Sequence, residues 1–175
     1  MPSIFQLPAT LLSQGYVLRP ETEDDVPFLM SLYASTREAE LAITGWSSEQ
    51  KQAFVVSQFQ AQRHYYRAQI PDCRFDVLEC RGEPFGRLYL DAGKTRLHIV
   101  DIALLPQWCG QGIGTSILRA VMDAAEQSGR GVSIFVEKYN PALRLYRRLS
   151  FTAIQDAGMH FEMEWTPTGA EMPVS

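Results

Sequence analysis

The chain has 175 residues, 46% hydrophobic and 21% charged, which is enough for one good core and too short for two full-sized domains. Ordinary glycine, proline and aromatic counts exclude a fibrous repeat, and the hydrophobic content excludes general disorder. A net charge of −4 argues against a dedicated nucleic-acid binder but leaves room for a local cationic pocket.

The first residues, MPSIFQLPATLL, lack a basic region and are interrupted by two prolines, so they do not read as a signal peptide. Residues 1–14 read as an arm before the fold, and residues 167–175 as a flexible tail. Between them, Tyr16–Arg19 is a short strand. The acids of TEDDVPFLMSLY sit at a helix start, followed by the apolar stripe Val26, Leu29, Leu32 and Tyr33. Ser48–Gln69 is a longer helix stopped by Pro71-Asp72. Arg74–Cys80 and Phe85–Asp91 form a hairpin across Arg81-Gly82-Glu83-Pro84, and Arg96–Leu105 is a third strand. A glycine-rich turn leads into a helix faced by Ile113, Ile117, Leu118, Val121 and Met122, capped by Gly129. Val132–Val136 is a strand, NPALRLYRRL a helix with Pro141 in its first turn, and Phe151–Ile154 with His160–Trp165 a last strand pair. This order predicts a single-domain α/β fold with a mixed sheet flanked by helices.

Three cysteines, Cys73, Cys80 and Cys109, read as free thiols in a reducing compartment. Neither they nor the scattered His64, His98 and His160 have metal-site spacing, so no metal is expected. Nowhere do 18 apolar residues run together, so no membrane partner is expected and the location reads as cytoplasmic.

The informative stretch is His98–Leu118: strand, turn with glycines at 110, 112 and 114, then helix. Glycines permit close backbone approach and positive φ, and the unpaired amides of a helix start favour an anion such as pyrophosphate. A tight turn without a ligand is the plain alternative. A Walker loop is excluded because no Gly-Lys-Ser/Thr triplet exists, and a dinucleotide fold because position 115 is threonine and only one β–α–β unit follows.

Leu104-Leu105-Pro106-Gln107-Trp108-Cys109-Gly110-Gln111-Gly112-Ile113-Gly114-Thr115 resembles the acyl-CoA loop, V-x-P-x-x-[QR]-G-x-G-[IL]-G, of the GCN5-related N-acetyltransferase (GNAT) family. Asn140-Pro141-Ala142-Leu143-Arg144-Leu145-Tyr146-Arg147-Arg148-Leu149-Ser150-Phe151 is similar to that family's N-P-A-x-x-L-Y-x-x-x-G-F helix and following strand. The resemblance covers about residues 16–165 and implies a mixed, mostly antiparallel sheet in an N-acetyltransferase domain over 15–166. Cys109 stands where the family has Gln or Arg, and Ser150 where it has Gly.

The resemblance implies acetyl-CoA as cosubstrate, with no metal. Ile102, Ala103 and Leu104 would offer main-chain groups to the pantetheine arm, as strand pairing used on a ligand. Gly110, Gln111, Gly112, Ile113, Gly114 and Thr115 would wrap the pyrophosphate, and Asn140 would meet the pantetheine side. Tyr146 would protonate the departing thiolate; its other reading is a core aromatic. The acceptor would be a small-molecule or peptide amine, with no nucleic acid involved and a homodimer left open. A CoA-binding module without catalysis is the rival reading.

Amine attack on a thioester needs an acceptor for the amine's proton and an acid for sulfur. Asp101 and Glu137 are the candidate bases, because carboxylates in apolar strands are desolvated. Each could equally point outward, since one bulge reverses strand parity. Without a bulge, His98 faces away from Asp101. The acceptor pocket is expected from Glu38–Trp46, the Arg63–Arg67 cluster and the 155–160 turn.

Overall fold

The structure, a computed structural model, describes residues 5–168; most of the expected tail therefore lies outside the described residues. A seven-stranded sheet runs in the order β1-β2-β3-β4-β5-β7-β6. Its strands are β1 (Tyr16–Pro20), β2 (Arg74–Cys80), β3 (Glu83–Ala92), β4 (Arg96–Leu104), β5 (Gly131–Glu137), β6 (Thr152–Asp156) and β7 (His160–Trp165). Every neighbouring pair is antiparallel except β4 and β5, which are parallel. That pair needs a crossover, and α4 (Ile113–Gln127) supplies it.

The helices divide between the two faces. On one, α4 lays Ile113, Ile117, Leu118 and Val121 on Leu88, Leu97, Ile99, Val132 and Ile134. The short α1 (Ala9–Ser13) and α5 (Leu143–Arg148) join this core. Phe5, Leu7 and Leu11 are buried in it, so the segment before β1 is packed against the domain. On the other face, α2 (Val26–Ala42) and α3 (Ser48–Gln69) bury Leu29, Tyr33, Val55 and Phe59 with Val77.

Local chemistry explains the boundaries. Ser47 and Gln50 form a reciprocal capping box, which starts α3 at Ser48. The hairpin turn uses Arg81 and Gly82, both at positive φ, so β3 begins at Glu83 rather than Phe85. α2 runs to Ala42, well past Tyr33, and takes in half of the expected 38–46 segment. Its entry is fixed by Asp25, which accepts from Thr22 N (2.8 Å) and from both terminal nitrogens of Arg19 (2.8 and 2.7 Å). Pro141 does not open α5: Ala142 is the N-cap, and the proline lies in the turn before it.

Candidate active site

The sheet is incomplete along its parallel seam. β4 and β5 pair from Arg96↔Gly131 to Ile99↔Ile134, although β4 continues to Leu104 and β5 to Glu137. The far edge of β4 stays paired to β3 as far as Leu104↔Gly86. Residues 100–104 and 135–137 therefore border a wedge, with backbone groups that lack a ladder across it. Such groups need partners, and an extended amide-bearing ligand can supply them. Ile102, Ala103 and Leu104 lie on this edge. Gly86 belongs to the same construction, since a Cβ there would stand 2.5 Å from the Ala103 carbonyl oxygen.

The glycine turn closes the mouth of the wedge. Gly110 (φ 75°) and Gly112 (φ 85°) take left-handed conformations, and Gly112 is the N-cap of α4 without a side-chain cap. Ser116 N is the first amide of the helix to find a backbone acceptor, at Gly112 O (3.0 Å). The amides of residues 110–115 have no acceptor among the described residues. A Cβ on Gly110 or Gly112 would meet nothing within 4 Å, so this cradle of donors is open. It fits an anion, and a diphosphate has oxygens enough for several of these donors. Ile113 buries its side chain and can offer only its amide. Gln111 turns its side chain back to Gln107 O (2.8 Å), and the Cys109 thiol lies 3.5 Å from Leu105 O. Both side chains brace the loop.

Tyr146 approaches the wedge from the α4 face. Its ring is 5% exposed and stands edge-on to Phe151. The end of α5 fixes it there: Phe151 N donates to Tyr146 O and Ser150 N to Arg147 O, a Schellman pair with Ser150 at φ 71°. The phenol makes no hydrogen bond among the described residues. Among the buried polar side-chain atoms described, only Arg87 Nε lacks a partner, so the phenolic oxygen is not sealed from solvent. Burial, with a smaller contribution from the Asp101 charge, pushes the Tyr146 pKa well above its ordinary value. Asn140 uses its side-chain oxygen to accept from Ala142 N (2.9 Å), which leaves its NH2 group for a ligand.

The opposite face holds the carboxylates. Tyr89 pairs with Asp101 and Leu90 with Ile99, so Val100 is an extra residue, a bulge in β4. The bulge reverses parity: His98 and Asp101 share the α3 face, and the expectation that they face apart is corrected. Asp101 is ion-paired to Arg87, which is 3% exposed, and Arg87 also donates to Gln62 Oε1 (2.9 Å). Arg87 was missed in the sequence; the one signal was a charge inside the apolar run Phe85–Leu90. Glu137 lies farther along on β5, with its side chain 46% exposed and 3.9 Å from both Arg37 and His160. In the Arg63–Arg67 cluster His64 and Tyr65 are exposed, and the two arginines are not a free grip. Arg63 and Arg67 both bind Glu21, which also accepts from the Tyr89 hydroxyl (2.6 Å), and Tyr66 packs edge-on against Tyr89. Among the described residues, no three His, Cys, Asp or Glu side chains converge as a metal site, and no helix is long and apolar enough to cross a membrane.

The family model described as the acetyltransferase (GNAT) family matches residues 40–151, which span β4, the glycine loop, α4, β5 and α5. The chain belongs to that family. An N-alpha-acetyltransferase of Sulfurisphaera tokodaii is 34% identical over 61 residues, covering 33% of this chain and 36% of that protein, so the match spans about a third of the relative's length. Among solved structures, the PaiA N-acetyltransferase of Thermoplasma acidophilum in complex with coenzyme A superposes with a TM-score of 0.65 at 18% identity, covering 87% of this chain and 99% of that one. An acetyltransferase of Thermus thermophilus gives 0.63 at 20% identity, over 87% and 97%. At these identities the two structures show a shared fold. The mixed, mostly antiparallel sheet expected of a GNAT domain is the one observed.

Proposed function

We propose that this GNAT domain is an acetyl-CoA-dependent N-acetyltransferase that moves the acetyl group to an amine by direct attack. The observation that carries the reading is the wedge between β4 and β5 with an open run of amide donors at its mouth. The coenzyme A complex of the PaiA structure and the name of the N-alpha-acetyltransferase relative support the same choice. The cosubstrate supplies a thioester whose carbonyl is the electrophile. Residues 110–115 bind the pyrophosphate through their amides, and Ile102, Ala103 and Leu104 pair with the pantetheine amides along the free edge of β4. Asn140 meets the pantetheine from the other side.

The two faces then divide the proton chemistry. Tyr146, on the α4 face, holds a proton that burial keeps on its oxygen and gives it to the departing thiolate. The amine enters from the α3 face, below α2 and beside the Asp156–His160 turn. An amine of ordinary pKa, about 10, arrives as its ammonium at pH 7 and must lose a proton before it attacks. The carboxylates on that face are Asp101 and Glu137. The acceptor is an amine, of a small molecule or a peptide.

The test is a panel of small amines and peptides with free N-termini, scored by release of CoA thiol. An amine-dependent release is expected; binding of acetyl-CoA with no release across the panel would leave a CoA-binding module instead.

A further inference from the structure

Beyond the carboxylates, the α3 face carries His98, which the proposed acetyl transfer does not yet use. His98 belongs to the last rungs before the wedge: it pairs with Ser133, and the ladder ends one rung later at Ile99↔Ile134. Its Nδ1 is 2.8 Å from Ser133 Oγ, and Ser133 is itself buried. With the proton on Nδ1 donated to that hydroxyl, Nε2 presents its lone pair. Nε2 has no partner among the described residues and is not sealed from solvent. The next side chain on this face of β5, Phe135, stands edge-on to the imidazole at 5.4 Å and is 52% exposed. The ring is thus half-buried beside the closed end of the wedge, and the Val100 bulge aims it to the same side as Asp101.

We propose that His98 Nε2, oriented by Ser133, accepts the proton of the acceptor amine, and that Asp101 does not. This deepens the acetyl-transfer reading and rests on it. The ammonium N–H bond breaks and its proton passes to Nε2, directly or through a water. The freed nitrogen lone pair forms the bond to the thioester carbon as the C=O π bond opens. The π bond re-forms as the C–S bond breaks, and the sulfur takes the Tyr146 proton. The extra proton on the acylated nitrogen passes through water to the Tyr146 phenolate, leaving the amide, the CoA thiol and a His98 imidazolium that returns its proton to solvent. Asp101 is committed elsewhere by geometry: its carboxylate is ion-paired to Arg87, which is buried beneath it. Asp91 on β3, Glu162 on β7 and Arg96 on β4 itself are the charges that face His98. The two acids raise its pKa and Arg96 lowers it, but burial is the largest influence and leaves it below the ordinary 6.5. The imidazole is therefore neutral, and competent as a base, at pH 7.

The experiment compares pH–rate profiles of thiol release for the wild type, His98→Gln, Asp101→Asn and Glu137→Gln, with calorimetry of acetyl-CoA binding for each. The wild type is expected to lose activity as pH falls through an apparent pKa below 6.5. His98→Gln, which keeps a hydrogen-bonding group for Ser133, should bind acetyl-CoA normally, lose roughly 10²–10⁴-fold in rate and lose that acidic limb. His98→Ala should regain rate with added imidazole, which a purely structural role would not allow. The proposal is overturned if His98→Gln keeps the wild-type limb, or if Asp101→Asn or Glu137→Gln abolishes it. If the wild type releases no thiol with any amine, the acetyl-transfer reading falls and takes this one with it.

Discussion

Removing one oxygen isolates the role of Tyr146. Tyr146→Phe keeps the contact with Phe151 and the backbone bonds that end α5, so folding should be untouched. Turnover is expected to fall roughly 10²–10⁴-fold with an unchanged KM for acetyl-CoA; full turnover would return Tyr146 to the role of a core aromatic. Because burial raises its pKa, no alkaline loss of activity below pH about 10 should trace to this phenol. Asp25 shows the opposite displacement. Its bonds to Arg19, chiefly, lower its pKa from 3.8 to about 2. A depressed folded-state pKa adds stability that is complete above pH 4 and disappears as pH falls toward 2. Asp25→Asn should therefore cost about 2 kcal/mol at pH 7 and progressively less in acid, checked by urea unfolding at pH 7, 4 and 2.5.

At the scale of elements, Ser150 occupies the C′ position of a Schellman motif with φ 71°. A side chain in this left-handed region costs roughly 1–2 kcal/mol, and glycine pays no such penalty. Ser150→Gly is expected to raise Tm by about 2–4 °C for each kcal/mol recovered, with activity unchanged. An unchanged or lower Tm would mean that the serine hydroxyl compensates for its backbone. The sequence made elements of this kind readable. The bounds of β2, α3 and β7 follow from capping and from turn residues that act within a few positions. The glycine loop and Tyr146 were legible for the same reason, as local motifs. The Val100 bulge was not, because one extra residue in β4 leaves no mark in composition and is set by pairing with β3. Asp101 could be named from its setting in an apolar strand. Its partner Arg87 lies fourteen residues earlier and meets it only across the ladder.

Across the whole molecule, the sheet consists of β1–β4 and of β5, β7 and β6, joined by four rungs and by the α4 crossover. A ligand lying in the wedge would touch both parts and bind only the folded chain. Saturation with coenzyme A at about 100-fold over Kd is expected to add about 2.7 kcal/mol. Thermal melts should show this as a Tm several degrees higher. Gly112→Asp, which sets a carboxylate among the amides of the cradle, should abolish the rise. A melt insensitive to coenzyme A in the unmodified chain would count against the cosubstrate.

The seam in the sheet is also a division of the gene product. Everything from β1 through α4, including the amide cradle and the His98–Asp101 face, precedes the exposed turn at Gly129; Glu137, Asn140 and Tyr146 follow it. Each piece would hold part of the proposed acetyl-transfer site and one bare edge of the wedge. Opening the chain between Gly129 and Arg130 cuts no residue of the site and falls where insertions are best tolerated. The two fragments, silent apart, are expected to release CoA thiol once they are refolded together.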